Sequence, residues 1–408
     1  DEDETHDPTV TIDNGRVQVS THVIGIAASA GDVFRFAVTG DGVFAIGGNV
    51  THASNKTVTM TLAGAGTVEA YGAGVQAFAN TILSTSDDAG VLAIKDGGLK
   101  TFNGVIGATE LGVISTTASG SAEFNAAVDA KVVTNLGTAQ FDAATGINTL
   151  TNSGTVSINH AIDNVEADGL ASIVMHTTGS ILNFNDGTTR DHDMVITGTT
   201  DGFGTINVID SAGGAAAAQV TSGGDIGAAA IHIGTINIGS ATAAGALTTL
   251  NGDEIHVDTL NIIGGDATTE NSILIAAEHV IANTGIVLTA ADAGDAELNV
   301  STAATITGDI TVSGVDGAGD TIIDVDNATT FVGSIGDSTA SVEIMTVATG
   351  TATLKGATNA IEGLAITGDG ITVDFFGTVA QTFTGAITTA TDDHAVVTNS
   401  NVTDTVTF

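Results

Sequence analysis

There is no cysteine among the 408 residues, which excludes disulfides, cysteine-ligated zinc, iron–sulfur clusters and thiol catalysis together. Tryptophan is absent too, tyrosine occurs once as Tyr71, and 14 phenylalanines supply the rest of the aromatic volume. A thick globular core uses more aromatic bulk, so the expected core is thin and built from small and β-branched side chains. Proline occurs once, as Pro8, beside 53 glycines; turns must come from Gly, Asn and Asp at positive φ. Basic residues are scarce. Eight Lys and Arg against 47 Asp and Glu give a formal net charge of −39, and from Asp191 onward the sole Lys or Arg is Lys355. Such a surface repels nucleic acid and anionic headgroups, and it disfavours reactions that need a cationic side chain to stabilise an anion. No apolar run approaches the roughly 18 residues of a membrane helix, so no helical span is expected.

What is present points to a folded, all-β chain. Hydrophobic residues make up 42%, too many for a disordered acidic tail. Short β-branched runs stop at Gly, Asn or Asp throughout: Thr9 to Ile12, Val17 to Val19, Val33 to Val38, Val58 to Leu62, Thr155 to Ile158 and Thr259 to Ile263. Asp13-Asn14-Gly15 and Gly40-Asp41-Gly42 sit between alternating runs, which reads as β-hairpins. Residues 1–60 are therefore expected to form a hairpin or strand-exchange region. Beyond residue 60 a looser phrase recurs, Gly-Thr or Gly-Asp followed by alternating apolar residues, as in Gly66-Thr67-Val68, Gly204 to Val208, Gly234 to Ile238 and Gly308 to Val312. This suits a right-handed β-solenoid over residues 61–408, with coils of roughly 20 residues stacked about 4.8 Å apart. An array of β-sandwich domains is the alternative, because strands at 8 to 12 residue intervals give a similar pattern. Ala215 to Gln219 and Ala276 to Ala282 are candidates for helical turns or coil corners.

The Gly, Ala, Thr, Val and Asp richness, the missing cysteine, the scarcity of Lys and Arg, and phrases such as Gly234-Thr235-Ile236-Asn237-Ile238 resemble bacterial S-layer proteins and the β-helical passengers of surface autotransporters. The resemblance is compositional and spans nearly the whole chain. It implies lattices, fibres or adhesive stalks at the cell surface, often strengthened by calcium. The start Asp1-Glu2-Asp3-Glu4, with no Met, basic region or apolar segment before it, is what removal of a signal peptide would leave.

Two constellations are candidate metal sites. Asp186, Asp191, His192 and Asp193 combine carboxylates with an imidazole, although Arg190 lies among them. Asp316, Asp320, Asp324 and Asp326 span a glycine turn and the alternating strand after it, where Asp324 and Asp326 share a face as oxygen ligation requires. Gly314 to Asp320 echoes a calcium-binding nonapeptide, in one degenerate copy. No two of the ten histidines have zincin spacing, and nucleophile-elbow, phosphate-loop and dinucleotide motifs are missing. The expected function is therefore a secreted, non-catalytic structural subunit that assembles with copies of itself, with calcium as the one cofactor. A surface adhesin, or a carbohydrate-binding or -processing β-helix acting on cell-surface glycans, is the alternative; Tyr71, Phe375 and Phe376 are its few aromatic candidates.

Overall fold

The structure, a computed structural model, describes residues 9–19, 24–26, 33–52, 57–160, 162–163, 171–185, 189–192, 194–209, 218–222, 224–240, 246–250, 254–265, 272–276, 279–290, 294–313, 320–377, 379–389, 395–400 and 406–407. Among these residues there are 42 strands and no helix, so nothing in the described chain resembles a membrane-crossing helix. The chain divides into two compact units, Asp1–Leu182 and Asn183–Phe408. In each, every paired strand is parallel to its partner and pairs with the equivalent strand one coil earlier or later. Thr138–Phe141 lies on Thr155–Ile158, and Thr351–Leu354 lies on Thr372–Phe375. Both units are thus β-solenoids built of stacked coils, and the pairings do not close into a barrel. A β-sandwich needs antiparallel neighbours, and the one antiparallel contact among the described residues is the isolated bridge between Ala228 and Ile231.

The coil repeat varies widely. Thr138 pairs with Thr155, an offset of 17, whereas Phe203 pairs with Ile233, an offset of 30. Strands keep register while the corners absorb the difference.

The expected N-terminal hairpins are corrected by the pairing. Thr9–Asp13 and Arg16–Val19, on either side of Asp13-Asn14-Gly15, do not pair with each other. The first lies parallel on Val33–Thr39 and the second on Val43–Ile46. The turn residues are those a hairpin uses, and their conformation is left-handed as expected, but here they make a coil corner. Asn14, Gly40, Gly64 and Asp88 hold φ of 50°, 57°, 59° and 64° at that corner in successive coils. The corners also bond to one another, since the Asp41 amide donates to Asn14 Oδ1 at 3.2 Å and Thr39 Oγ1 to Asp13 Oδ1 at 3.0 Å. The Ala-rich stretches are not helical where they are described: Ala218–Ser222, Ser272–Ala276 and His279–Thr289 are strands.

Alternation within each strand sends every second side chain inward, as in the buried Val156 and Ile158 of Thr155–Ile158. Because register is kept, like residues stack on like. In the first unit Phe78, Phe102, Phe124 and Phe141 form a buried column with ring centroids 4.9, 5.1 and 5.0 Å apart and planes within 15° of parallel. Beside a corner, Thr116 Oγ1 donates to Asn135 Oδ1 (2.6 Å) and Asn135 Nδ2 to Asn152 Oδ1 (3.0 Å), so fully buried amides satisfy each other from coil to coil. Lys100 is also fully buried, its ammonium donating to the carbonyls of Gly72, Gly74, Gly97 and Gly98 at 2.6 to 3.4 Å. Glu69 is buried between Arg16 (2.6 Å) and Lys95 (2.5 Å), tying three coils together. In the second unit a half-buried amide ladder runs along one outer face: Asn207 donates to Asn183, Asn237 to Asn207 and Asn261 to Asn237, each at 2.7 or 2.8 Å.

Candidate metal centre

In the second unit one corner column carries chemistry that the linear sequence does not display. Asp201 sits in the turn before the strand Phe203–Ile209, and His232 immediately precedes Ile233–Ile238, which stacks on it. Asp258 lies in the next coil's strand, Glu254–Ile263. One coil further, the strand His279–Thr289 carries an extra residue: Val257 pairs with Ala282 but Thr259 pairs with Gly285. This bulge turns Asn283 toward the column, a use of bulges seen where a side chain must be re-aimed.

The four side chains converge. His232 Nδ1 is 2.9 Å from Asp201 Oδ1 and 3.9 Å from Asp258 Oδ1. The Asn283 amide is 2.8 Å from the same nitrogen and 3.4 Å from Asp258 Oδ1. The donor atoms of Asp201, His232 and Asp258 all lie within 4.8 Å of one another. His232 is buried and Asp201 exposed, so the cluster is anchored inside and open outside. Asp201 is held by the main chain, its Oδ1 accepting the His232 backbone N–H at 2.8 Å. That bond, ahead of the contribution from the imidazole, keeps the Asp201 carboxyl below the usual carboxylate range. Space is tight: a side chain at Gly202, where φ is +75°, would stand 3.0 Å from Asp258 Oδ2, and one at Gly234 would stand 2.6 Å from the Gly202 carbonyl. Next in the stack, His256 is buried with its ring centroid 5.5 Å from that of His232 and its Nε2 2.7 Å from Glu254.

Sequence reasoning missed this group. Its members are 31, 26 and 25 positions apart (201 to 232, 232 to 258, 258 to 283), separations within two residues of the coil offsets of 30, 24 and 25 or 26 there. Only a register assignment would have found them.

The sequence-based candidates fare differently. Asp186, Asp193 and Asp316 lie outside the described residues, and although Asp191 and His192 are placed in the strand Thr189–His192, beside Thr221 and Ser222, their side chains are not described. Asp324 and Asp326 do share an outer face, and Asn299 Nδ2 reaches both at 3.4 Å. Glu297, from the coil before, joins them: burial first, then the charges of Asp324, Asp295 and Asp326, raise its carboxyl above the usual range. Asp324 is raised by burial and by Asp326, and its Oδ1 is buried with no hydrogen-bond partner. Asp320 is turned elsewhere, its amide bonded to Asp295 Oδ1 at 2.8 Å and its charge facing Glu343. Of the aromatic candidates, Phe375 is core, Phe376 is 41% exposed beneath Lys355, and the Tyr71 hydroxyl bonds to Gln18 and to the Val19 carbonyl.

Compared with family models, curated proteins and solved structures, the chain finds no match.

Proposed function

We propose that this chain is an extracellular structural protein whose coils serve as scaffold, and that it assembles with copies of itself into a layer, fibre or matrix without catalysing a reaction. The observation that carries the reading is the coil-to-coil parallel pairing within each unit among the described residues, with one phenylalanine, amide or corner residue contributed per coil. A β-solenoid is compatible with a structural or an adhesive role. Stacking of this kind is extensible, because an edge strand offers unpaired N–H and C=O groups in the same register that each internal coil already uses. The outermost described strands are suited to such a joint: Thr9–Asp13 and Arg16–Val19 are mostly exposed, with Val10 and Val17 uncovered, as are Val396 and Val397 in Val396–Asn399. Calcium fits this role as a bridge for the carboxylates around Asp324 and Asp326, which repel each other when bare.

Sedimentation velocity over a hundredfold range of concentration, in calcium and in chelator, tests the proposal. Large assemblies that grow with concentration support it; a monomer under every condition overturns it.

A second reading, an adhesin for surface glycans, is favoured by a groove of about 520 Å³ lined by Asp337, Ser341, Thr358, Glu362, Thr382 and Thr384. Hydroxyls and carboxylates of this density suit sugar hydroxyls. Saturable binding on a glycan array, abolished by Glu362→Gln, would favour it over assembly.

A further inference from the structure

The polar atoms around His232 Nδ1 outnumber what that nitrogen can bond. A ring nitrogen carries either one proton or one lone pair, yet Asp201 Oδ1 and Asp258 Oδ1 both lie near it, at 2.9 and 3.9 Å, while the Asn283 amide nitrogen stands beside the ring, 2.8 Å from Nδ1 and 3.4 Å from Nε2. A proton on Nδ1 serves Asp201 and leaves Asp258 with the Asn283 amide at 3.4 Å. A lone pair on Nδ1 faces two carboxylates with nothing to neutralise them. Among the described residues the structure gives those carboxylates no Lys or Arg partner; Lys355 lies over Phe376. A cation held between Nδ1 and the two carboxylates satisfies all three together.

We propose that Asp201, His232 and Asp258 bind one divalent first-row transition-metal ion, with Zn²⁺ as the probe, and that the ion staples three successive coils. Ligands sharing such an ion at bonds of about 2.0–2.2 Å stand roughly 3.0–3.5 Å from one another, and the distances here bracket that range. The Asn283 amide, 3.4 Å from Asp258 Oδ1, supports that carboxylate from the next coil. One imidazole nitrogen among carboxylate oxygens favours a transition metal over Ca²⁺, whose sites are made of oxygen alone. The site is preorganised from within: the His232 backbone holds Asp201, burial holds the imidazole, and the bulge holds Asn283. Its consequence is mechanical. Residues from 201 to 258, otherwise joined by strand pairing, core packing and the Asn207–Asn237–Asn261 ladder, become one cross-linked block. The inference does not depend on self-assembly.

Calorimetric titration of the metal-free full chain with Zn²⁺, and separately with Ca²⁺, tests it, together with melting curves. Wild type is expected to take up one Zn²⁺ with micromolar or tighter affinity and to melt several degrees higher, while Ca²⁺ leaves this uptake unchanged. Asp201→Asn and Asp258→Asn should weaken uptake by more than about tenfold, the loss caused even by removing an outer partner of a metal ligand, with an unchanged circular dichroism spectrum. His232→Gln should abolish it. Should that buried substitution unfold the chain, the exposed Asp201 variant decides alone. No saturable Zn²⁺ uptake, uptake equally strong in the Asp201 and Asp258 variants, or equal competition by Ca²⁺ overturns the proposal.

Discussion

Truncating Phe124 to alanine removes the middle of the phenylalanine column and is expected to be among the costliest single changes in the first unit. Both faces of the ring are covered, by Phe102 at 5.1 Å and Phe141 at 5.0 Å, and the residue is 1% exposed. Burying a phenylalanine and leaving a cavity of its size costs about 3–5 kcal/mol. Neighbouring coils cannot collapse into the gap without breaking register, which places Phe124→Ala near the top of that range. Phe124→Leu keeps most of the volume and loses the two ring contacts, costing about 1–2 kcal/mol. The column also predicts which pairs couple. Phe102→Ala and Phe124→Ala share a contact and should interact by about 0.5–1.5 kcal/mol, whereas Phe78→Ala and Phe124→Ala, which touch only through the shared Phe102 ring, should interact less. Urea unfolding followed by the fluorescence of Tyr71 reads these values in the right place, because the chain's single tyrosine lies in the same unit, with its hydroxyl bonded at 2.9 Å to Gln18. A cost for Phe124→Ala below about 1 kcal/mol, or equal coupling in the two pairs, would refute nearest-neighbour stacking.

Further expectations follow from the same packing. Glu297, Asp324, Glu343 and Asp129 are raised above the ordinary carboxylate range, burial being the largest cause in each, so the folded chain binds protons more readily than the unfolded one and gains stability as pH falls through those raised values. Glu69, where the Arg16 and Lys95 bonds overcome an opposing burial effect, and Asp88, bonded to Lys131, are lowered; their contribution disappears below about pH 4. Melting temperature should therefore climb as pH falls from 7 through those raised values and fall again below about pH 4, and a steady decline from pH 7 would contradict those shifts. Lys100→Met keeps apolar bulk but leaves four glycine carbonyls without their donor, for a loss of about 2–5 kcal/mol and faster amide exchange around residues 72–100; unchanged urea stability would show the ammonium to be dispensable. Gly137→Ala, whose added carbon would lie 2.1 Å from the Gly120 carbonyl, must pry two coils apart and should cost about 1–3 kcal/mol in the same urea assay; a neutral result would mean that the coils can separate freely there.

That glycine explains why the coil stack could be read from the chain at all. Gly137-Thr138 and Gly154-Thr155 each open a strand at a point where the backbone of the preceding coil passes too close for a side chain; at Gly154 a Cβ would meet the Gly137 carbonyl at 2.0 Å. The recurring Gly-Thr phrase is the imprint of that contact. Strand alternation likewise placed Asp324 and Asp326 on one face. The first corner was misread because Asn14 and Gly40 adopt the same left-handed backbone in a hairpin and in a coil corner, and local sequence carries no record of which strand is the partner. Glu297 and Asn299, which complete the Asp324 cluster, and the whole Asp201–His232–Asp258–Asn283 group were hidden for a related reason. Offsets between 17 and 30 residues give no fixed period by which to align one coil on the next.

Register is the claim on which the ladders, the acidic cluster and the metal site all rest, and a chain without cysteine allows it to be measured cleanly. Gln140 and Ser157 are paired neighbours in adjacent coils, and parallel partners at about 4.8 Å fall inside the Cα separation that a disulfide spans. Under mild oxidation the double substitution Gln140→Cys with Ser157→Cys should close an intramolecular disulfide nearly quantitatively, while Gln140→Cys with Thr155→Cys, displaced by two residues, should not. Failure of the first pair to close, or equal closure of both, would contradict the stacked-coil register.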